Sequence, residues 1–193
     1  MIFGAVLTWS AINPKDYFIW ILEVLPAIIA LVILAVTYKE FRFTNLVYLL
    51  ILIHCVILMV GGHYTYAEVP LFDWIKEVFD QSRNNYDKIG HLAQGFIPAM
   101  IAREIMIKNR VVNSAKWLSF IVVTICMAIS VTYELIEWFV AEQTGESSES
   151  FLGTQGYIWD TQSDMLYATI GAVLALIILS KMHDRLISKQ VSK

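Results

Sequence analysis

Residues 17–38 read YFIWILEVLPAIIALVILAVTY, with Glu23 as the one charged side chain in the run. A helix needs about 20 predominantly apolar residues to cross the hydrocarbon core of a bilayer, so this stretch reads as a transmembrane helix and decides the fold. After the short polar turn Lys39-Glu40-Phe41-Arg42, residues 44–61 (TNLVYLLILIHCVILMVG) repeat the pattern. Lys116–Ala141 and Asp164–Met182 supply two further spans. Ile89–Ile107 is also long enough, but it carries Gly90, Gln94, Gly95, Pro98, Arg103 and Glu104. Such a helix suits the middle of a bundle better than contact with lipid, and it reads as a buried span. The expected fold is therefore all-α: a polytopic transmembrane helical bundle of five spans, or six if residues 1–12 also cross. It forms a single integral membrane domain over residues 1–193.

The composition agrees. The chain is 58% hydrophobic and 16% charged, with a mean hydropathy of +0.61, where soluble domains are nearer half apolar and a quarter charged. A net charge of −3 without a basic run excludes a nucleic-acid partner. Cys55 and Cys126 fall inside apolar segments and read as small hydrophobes. Met1–Ile12 has no Lys or Arg, so the basic start of a signal peptide is missing. It reads as an extra first helix or as a segment lying on the surface.

Gly62–Lys88 is too polar to cross. Within it Leu71, Phe72, Ile75, Val78 and Phe79 recur at helical spacing opposite Asp73, Lys76, Glu77 and Asp80, with Pro70 at the first helical position. This predicts a short amphipathic helix, either lying in the membrane interface or packed over the bundle. Gln143–Tyr157, rich in Gly, Ser and Glu, reads as a loop able to move. With five alternating spans, one side of the membrane carries ten of the fourteen Lys and Arg, among them Lys39, Arg42, Lys108, Arg110, Lys181 and Arg185. Lys15, Lys76, Arg83 and Lys88 lie on the other. The positive-inside rule then places the C-terminus in the cytoplasm and the long loops outside.

That topology gathers acids. Asp87 and His91 are four apart on one helix, Glu134 and Glu137 three apart on the next, and Asp160 and Asp164 four apart at the start of the last. Glu23 lies nearly two turns below the outer end of the first span. A charge at this depth costs roughly 2.5–3.5 kcal/mol even on lenient insertion scales, so each acid needs a partner or a purpose. Neighbouring carboxylates need a cation or shared protons. His91, Asp87, Glu134, Glu137 and Asp164 make an ordinary ligand set for a divalent metal ion, carboxylate-rich sets favouring the harder ions. The same groups can pass protons or bind an organic cation. A structural role competes: Asp87 and Asp160 are placed to cap helices, and Asp164 to pair with Lys88 or Arg83.

His63 reads either as a ligand or base for the same layer or as an interfacial hydrogen bonder. His54 reads as packed in mid-span and His183 as solvated on the basic tail. Trp159 and Trp138, with Tyr64, Tyr66, Tyr86 and Tyr157, fit an interfacial aromatic belt first and the wall of a substrate site second, Trp159 being the substrate-binding candidate among them. Gly90, Gly95 and Gly171-Ala172 read as points of close helix approach.

Three blocks carry a resemblance. They are Ser82-Arg83-Asn84-Asn85-Tyr86-Asp87-Lys88-Ile89-Gly90-His91 with Gln94-Gly95-Phe96, then Tyr133-Glu134 with Glu137-Trp138, and Gly156 with Trp159-Asp160-Thr161-Gln162 and Asp164-Met165. Together they resemble the YjdF-type family of bacterial inner-membrane proteins over nearly the whole chain. The order of the motifs is more distantly similar to VanZ-like proteins, linked to glycopeptide resistance, which carry a Glu-x-x-Gln pattern where this chain has Glu134 and Glu137. Relative to YjdF-type proteins the first helix here reads as shortened. The family has no established activity, so the resemblance implies the fold and a multi-pass place in the bacterial inner membrane.

Two classes of function follow from the residues. In the first, a metal-assisted hydrolase or transferase acts on a membrane lipid or envelope precursor at the outer face. Asp87, His91, Glu134, Glu137, Asp160 and Asp164 are its catalytic candidates, and Arg83, Lys88, His63 and Trp159 its substrate-binding candidates. In the second, the acids line the path of a proton- or cation-coupled carrier. A non-catalytic envelope scaffold is the remaining reading.

Overall fold

The computed structural model describes residues 1–144 and 154–191, and within them it contains helices and no strand. Helix α1 covers Ile2–Ala11, α2 Tyr17–Thr37, α3 Asn45–Tyr64, α4 Pro70–Val78, α5 Tyr86–Lys108, α6 Ala115–Thr144 and α7 Asp160–Val191, with a 3₁₀ turn at Tyr66–Glu68. Most of the Gln143–Tyr157 stretch lies outside the described residues. Helices α2, α3, α6 and α7 are long and apolar enough to cross a membrane. Their outward side chains, such as Val36, Phe120 and Ile177, stay exposed as lipid-facing residues should. The ten residues of α1 reach only about 15 Å, half the hydrocarbon thickness. It packs on α3 instead, and its buried Ser10 accepts a hydrogen bond from Trp20 Nε1 at 3.1 Å.

Each helix begins where the chemistry of its ends allows. Asp16 caps α2 by accepting from the backbone N–H of Phe18 at 2.7 Å and Ile19 at 3.0 Å. Pro70 opens α4 at its first turn, where no intrahelical donor is lost. Leu71, Trp74, Val78 and Phe79 are all exposed on α4, so its apolar side faces outward as an interfacial helix requires. One edge of that apolar side docks, with Phe72 edge-on to Tyr86, and Asp73 beside it accepts from Asn84 Nδ2.

Helix α5 stands in the centre, packed against α3, α6 and α7. Its seam with α7 has no room for side chains. A Cβ on Gly95 would lie 1.7 Å from the Ala168 carbonyl oxygen, and one on Gly171 would lie 2.1 Å from that of Leu92. Gly95 and Gly171 are thus places where two backbones touch, whereas Gly90 makes room for the Tyr66 ring.

The bundle has an acidic end, near Asp87 and Asp160, and an opposite basic end. The basic end holds a polar network that corrects the reading of His183, which is fully buried rather than solvated. Its Nε2 lies 2.8 Å from Glu104 Oε2, and its Nδ1 lies 3.2 Å from Arg103 Nη1. Glu104, also fully buried, accepts from the Thr44 backbone N–H and hydroxyl, both at 2.7 Å, and pairs with Lys108 at 2.6 Å. Arg103 in turn donates to Asp184 at 2.6 Å. Buried charges require such partners, and this set ties α3, α5 and α7 together.

Candidate functional site

At the acidic end the turn before α5 is built around Asn84, which is fully buried. Its Nδ2 donates to Val69 O at 3.0 Å and Asp73 Oδ1 at 2.9 Å. Its Oδ1 accepts from Tyr86 N at 3.1 Å, and its backbone is clasped on both sides by the Gln155 amide. This fixes Arg83 and the first turn of α5 against the start of α7.

Arg83 Nη1 donates to Asp160 Oδ1 at 2.5 Å. Lys88 Nζ reaches the same oxygen at 2.6 Å, Asp164 Oδ1 at 2.5 Å and Asp87 Oδ2 at 3.3 Å. All five side chains are buried. Asp160 therefore binds cations across the bundle, and Asp164 pairs with Lys88 as the structural alternative required. Lys88 and Arg83, two of the substrate-binding candidates, both lie within this carboxylate nest.

His91 is the next layer inward. Its Nε2 lies 3.2 Å from Asp87 Oδ1 and 3.8 Å from Asp164 Oδ1. Its Nδ1 lies 3.1 Å from Gln94 Oε1 and 3.9 Å from Glu134 Oε1. Thr161 reaches Glu134 from α7, yet Glu134 Oε1 is buried with no hydrogen-bond partner among the described residues. Asp160 Oδ2 shares that condition. A buried carboxylate oxygen left so is costly unless something supplies a charge or a proton. Asp87, His91 and Asp164 each offer a donor atom, all within 4.8 Å of one another. That spacing fits ligands converging on one ion at about 2.0–2.2 Å, and the orphan Glu134 oxygen lies beside them. The donor set fits a hard divalent ion. Lys88 already holds one Asp164 oxygen, so the ammonium and an ion would share that carboxylate.

Beneath His91 lies a cavity of about 230 Å³. Glu23, Asp87, His91 and Glu137 wall its polar end, while Ala30, Ile51, Ile97, Ile101 and Ile129 line the rest. Tyr66 closes it beneath Gly61 and Gly90, where a Cβ on either glycine would overlap the ring. Its hydroxyl hydrogen-bonds Glu23, and burial, with Glu23 close by, pushes that hydroxyl well above the ordinary phenol range. Helix α2 packs on α3, α3 on α5 and α5 on α6, while α2 and α6 make no extended contact among the described residues. Residues of both α2 and α6 line the cavity, which therefore reaches the gap between these two helices.

The structure therefore brings Asp87, His91, Glu134, Asp160 and Asp164 together, with Glu137 and Glu23 on the cavity wall. Glu137 is not among the converging metal donors. His63 is placed elsewhere: its Nδ1 lies 3.1 Å from Ser10 O, and its ring stacks on Trp9 at 4.5 Å. Trp159 is 57% exposed and Trp138 58%, as an aromatic belt requires. His54, read as simply packed, lines the cavity. Tyr66, of the aromatic group read second as a substrate wall, lines the cavity, while sequence reasoning missed Asn84, Gln155 and Tyr133 as parts of the site.

The family described as "Predicted membrane protein (DUF2238)" matches residues 1–185. The chain belongs to that family. This DUF2238 chain is also similar to the inner membrane protein YjdF of Escherichia coli (strain K12), with 45% identity over 180 residues, 93% of this chain and 86% of the relative. No solved structure matches. The resemblance drawn from the three sequence blocks is borne out, and the DUF2238 chain is a multi-pass membrane protein of inner-membrane type.

Proposed function

We propose that the protein is a membrane-embedded hydrolase or transferase, assisted by a divalent metal ion, that acts on a membrane lipid or envelope precursor. In this reading α5 crosses as a fifth span beside α2, α3, α6 and α7. The Lys-rich end and the C-terminus are cytoplasmic, and the acidic end lies at the outer face. One observation carries the proposal: an apolar cavity reaching the gap between α2 and α6 ends on a buried imidazole and carboxylates, and in this reading that gap faces lipid. Substrate pockets commonly join an apolar body to a few convergent polar groups.

Asp87, His91 and Asp164 would hold the ion, with Glu134 beside them. Bound there, the ion would supply Lewis-acid polarisation of a phosphoryl or carbonyl oxygen. The chain's own part is to position and to move protons. Gln94 fixes the His91 ring through Nδ1, which leaves Nε2, beside Asp87 and Asp164, for the ion. Glu134 Oε1, without a hydrogen-bond partner among the described residues and 3.9 Å from His91 Nδ1, is an acceptor for a proton passed on behind His91. Arg83 and Lys88 hold Asp160 and Asp164 in place, which supports a positioning role. Helix packing around the apolar shaft keeps bulk water from the chain of the substrate.

A proton- or cation-coupled carrier is the second reading. The extension of the cavity toward the bundle's middle, to Ile97 and Ile101, favours it, and midplane sites are usual in carriers. Elemental analysis of the purified protein separates the two. Metal at one ion per chain in the wild type and its loss in His91→Ala support the enzyme. A metal-free wild type refutes metal assistance.

A further inference from the structure

The polar end of the cavity has a chemistry of its own. Glu23 comes from α2, Asp87 and His91 from α5, and Glu137 from α6, with the rings of Tyr66 and Tyr133 beside them. No Lys or Arg lines the cavity among the described residues. Arg83 and Lys88 instead line a separate surface groove with Ser82, Asn85 and Tyr157, and both bind Asp160. If the proposed ion sits on Asp87, His91 and Asp164, Glu23 and Glu137 still face the cavity without a fixed cation. Behind them, Glu134 Oε1 adds a buried oxygen with no hydrogen-bond partner among the described residues.

Such a wall repels an anionic head group and attracts a cationic one. Two phenol rings add favourable faces for a cation. Below it the shaft is apolar, and about 230 Å³ corresponds to roughly eight water-sized groups. That is room for a single short chain.

We infer that the cavity selects amphiphiles whose polar end is a protonated amine or similar organic cation, seated between Glu23 and Glu137, with one apolar chain lying between α2 and α6. This names the head-group class for the lipid substrate proposed above and rests on that reading of the cavity.

The test uses the full chain purified in dodecyl maltoside, with octylamine, octyl phosphate and octanol as three probes of one chain length. Ligand-dependent thermal stabilisation is read for the wild type, Glu23→Gln/Glu137→Gln and Ala30→Trp. Octylamine should half-saturate at a concentration at least tenfold lower than the other two probes. The double Gln variant should erase that preference while keeping octanol binding, and Ala30→Trp, which fills the shaft, should weaken all three. If the double variant does not fold, the single Gln variants report the same loss in part. Equal binding of the three probes, or a preference for octyl phosphate, overturns the inference and leaves the lipid-substrate reading standing. An octylamine preference that survives both Gln substitutions also overturns it. Failure of every probe to bind overturns this inference and the reading of the cavity together.

Discussion

Replacing Gly95 by Ala tests the central packing claim with a single methyl group. The added Cβ would stand 1.7 Å from the Ala168 carbonyl oxygen and 2.5 Å from its carbon. Both are backbone atoms, so no side chain can turn aside. To restore an ordinary contact, α5 and α7 must part locally by about 1.7 Å, and a gap of that size forfeits much of the dispersion attraction along the seam. Overpacking costs typically 1–3 kcal/mol where side chains can adjust. Here they cannot, so we expect a loss of at least about 3 kcal/mol. Gly4→Ala is the internal control, because a Cβ there meets nothing within 4 Å and gains up to about 1 kcal/mol of helix propensity. The assay is the fraction remaining monodisperse in detergent after a series of heating steps. Gly95→Ala should fall well below the wild type, and Gly4→Ala should match or exceed it. If Gly95→Ala is as stable as Gly4→Ala, the close backbone contact does not exist and the placement of α7 is wrong.

The two polar clusters give further tests. Lys88→Met removes the cation shared by Asp160 and Asp164, and should destabilise by about 3–5 kcal/mol in the same heating assay. Adding Asp164→Asn should recover part of that loss, and no recovery would argue against the pairing. Glu104→Ala should cost more than Thr44→Val, because it strips partners from Thr44, Lys108 and His183 at once, whereas Thr44→Val loses one hydrogen bond worth about 1 kcal/mol. Equal effects would count against the network. His63→Ala should leave metal content unchanged while His91→Ala abolishes it, as read by elemental analysis, because His63 contacts α1 rather than the carboxylates.

Four long apolar helices and their order were legible because about 20 apolar residues in a row have few other uses. The acidic layer was legible too. Spacings of three and four place Asp87 with His91 and Glu134 with Glu137 whatever the packing, and alternation of spans brings their ends together. The pairing of Asp164 with Lys88 was among the alternatives read there, but the sharing of Asp160 between Arg83 and Lys88 was not. That Lys88 rather than a ligand meets Asp160 and Asp164 depends on how α5 is rotated against α7, which Gly95 and Gly171 set through close approach. His183 was misread for a related reason: a histidine among Lys181 and Arg185 looks solvated until Glu104, 79 residues away, is known to lie opposite. The signal was available in Arg103-Glu104, two charges inside an apolar stretch that had to find partners. Tyr66 belonged to an aromatic group with a ready explanation as a belt, and nothing local distinguishes a ring over Gly61 and Gly90 from one touching head groups.

The gap between α2 and α6 bears on how any ligand would be measured. A molecule reaching His91 by that route never leaves the oily phase, so its abundance within the leaflet, not its solubility in water, sets occupancy. Titrations would then scale with mole fraction in the detergent or bilayer. Diluting the protein at constant surfactant-to-ligand ratio should leave saturation unchanged.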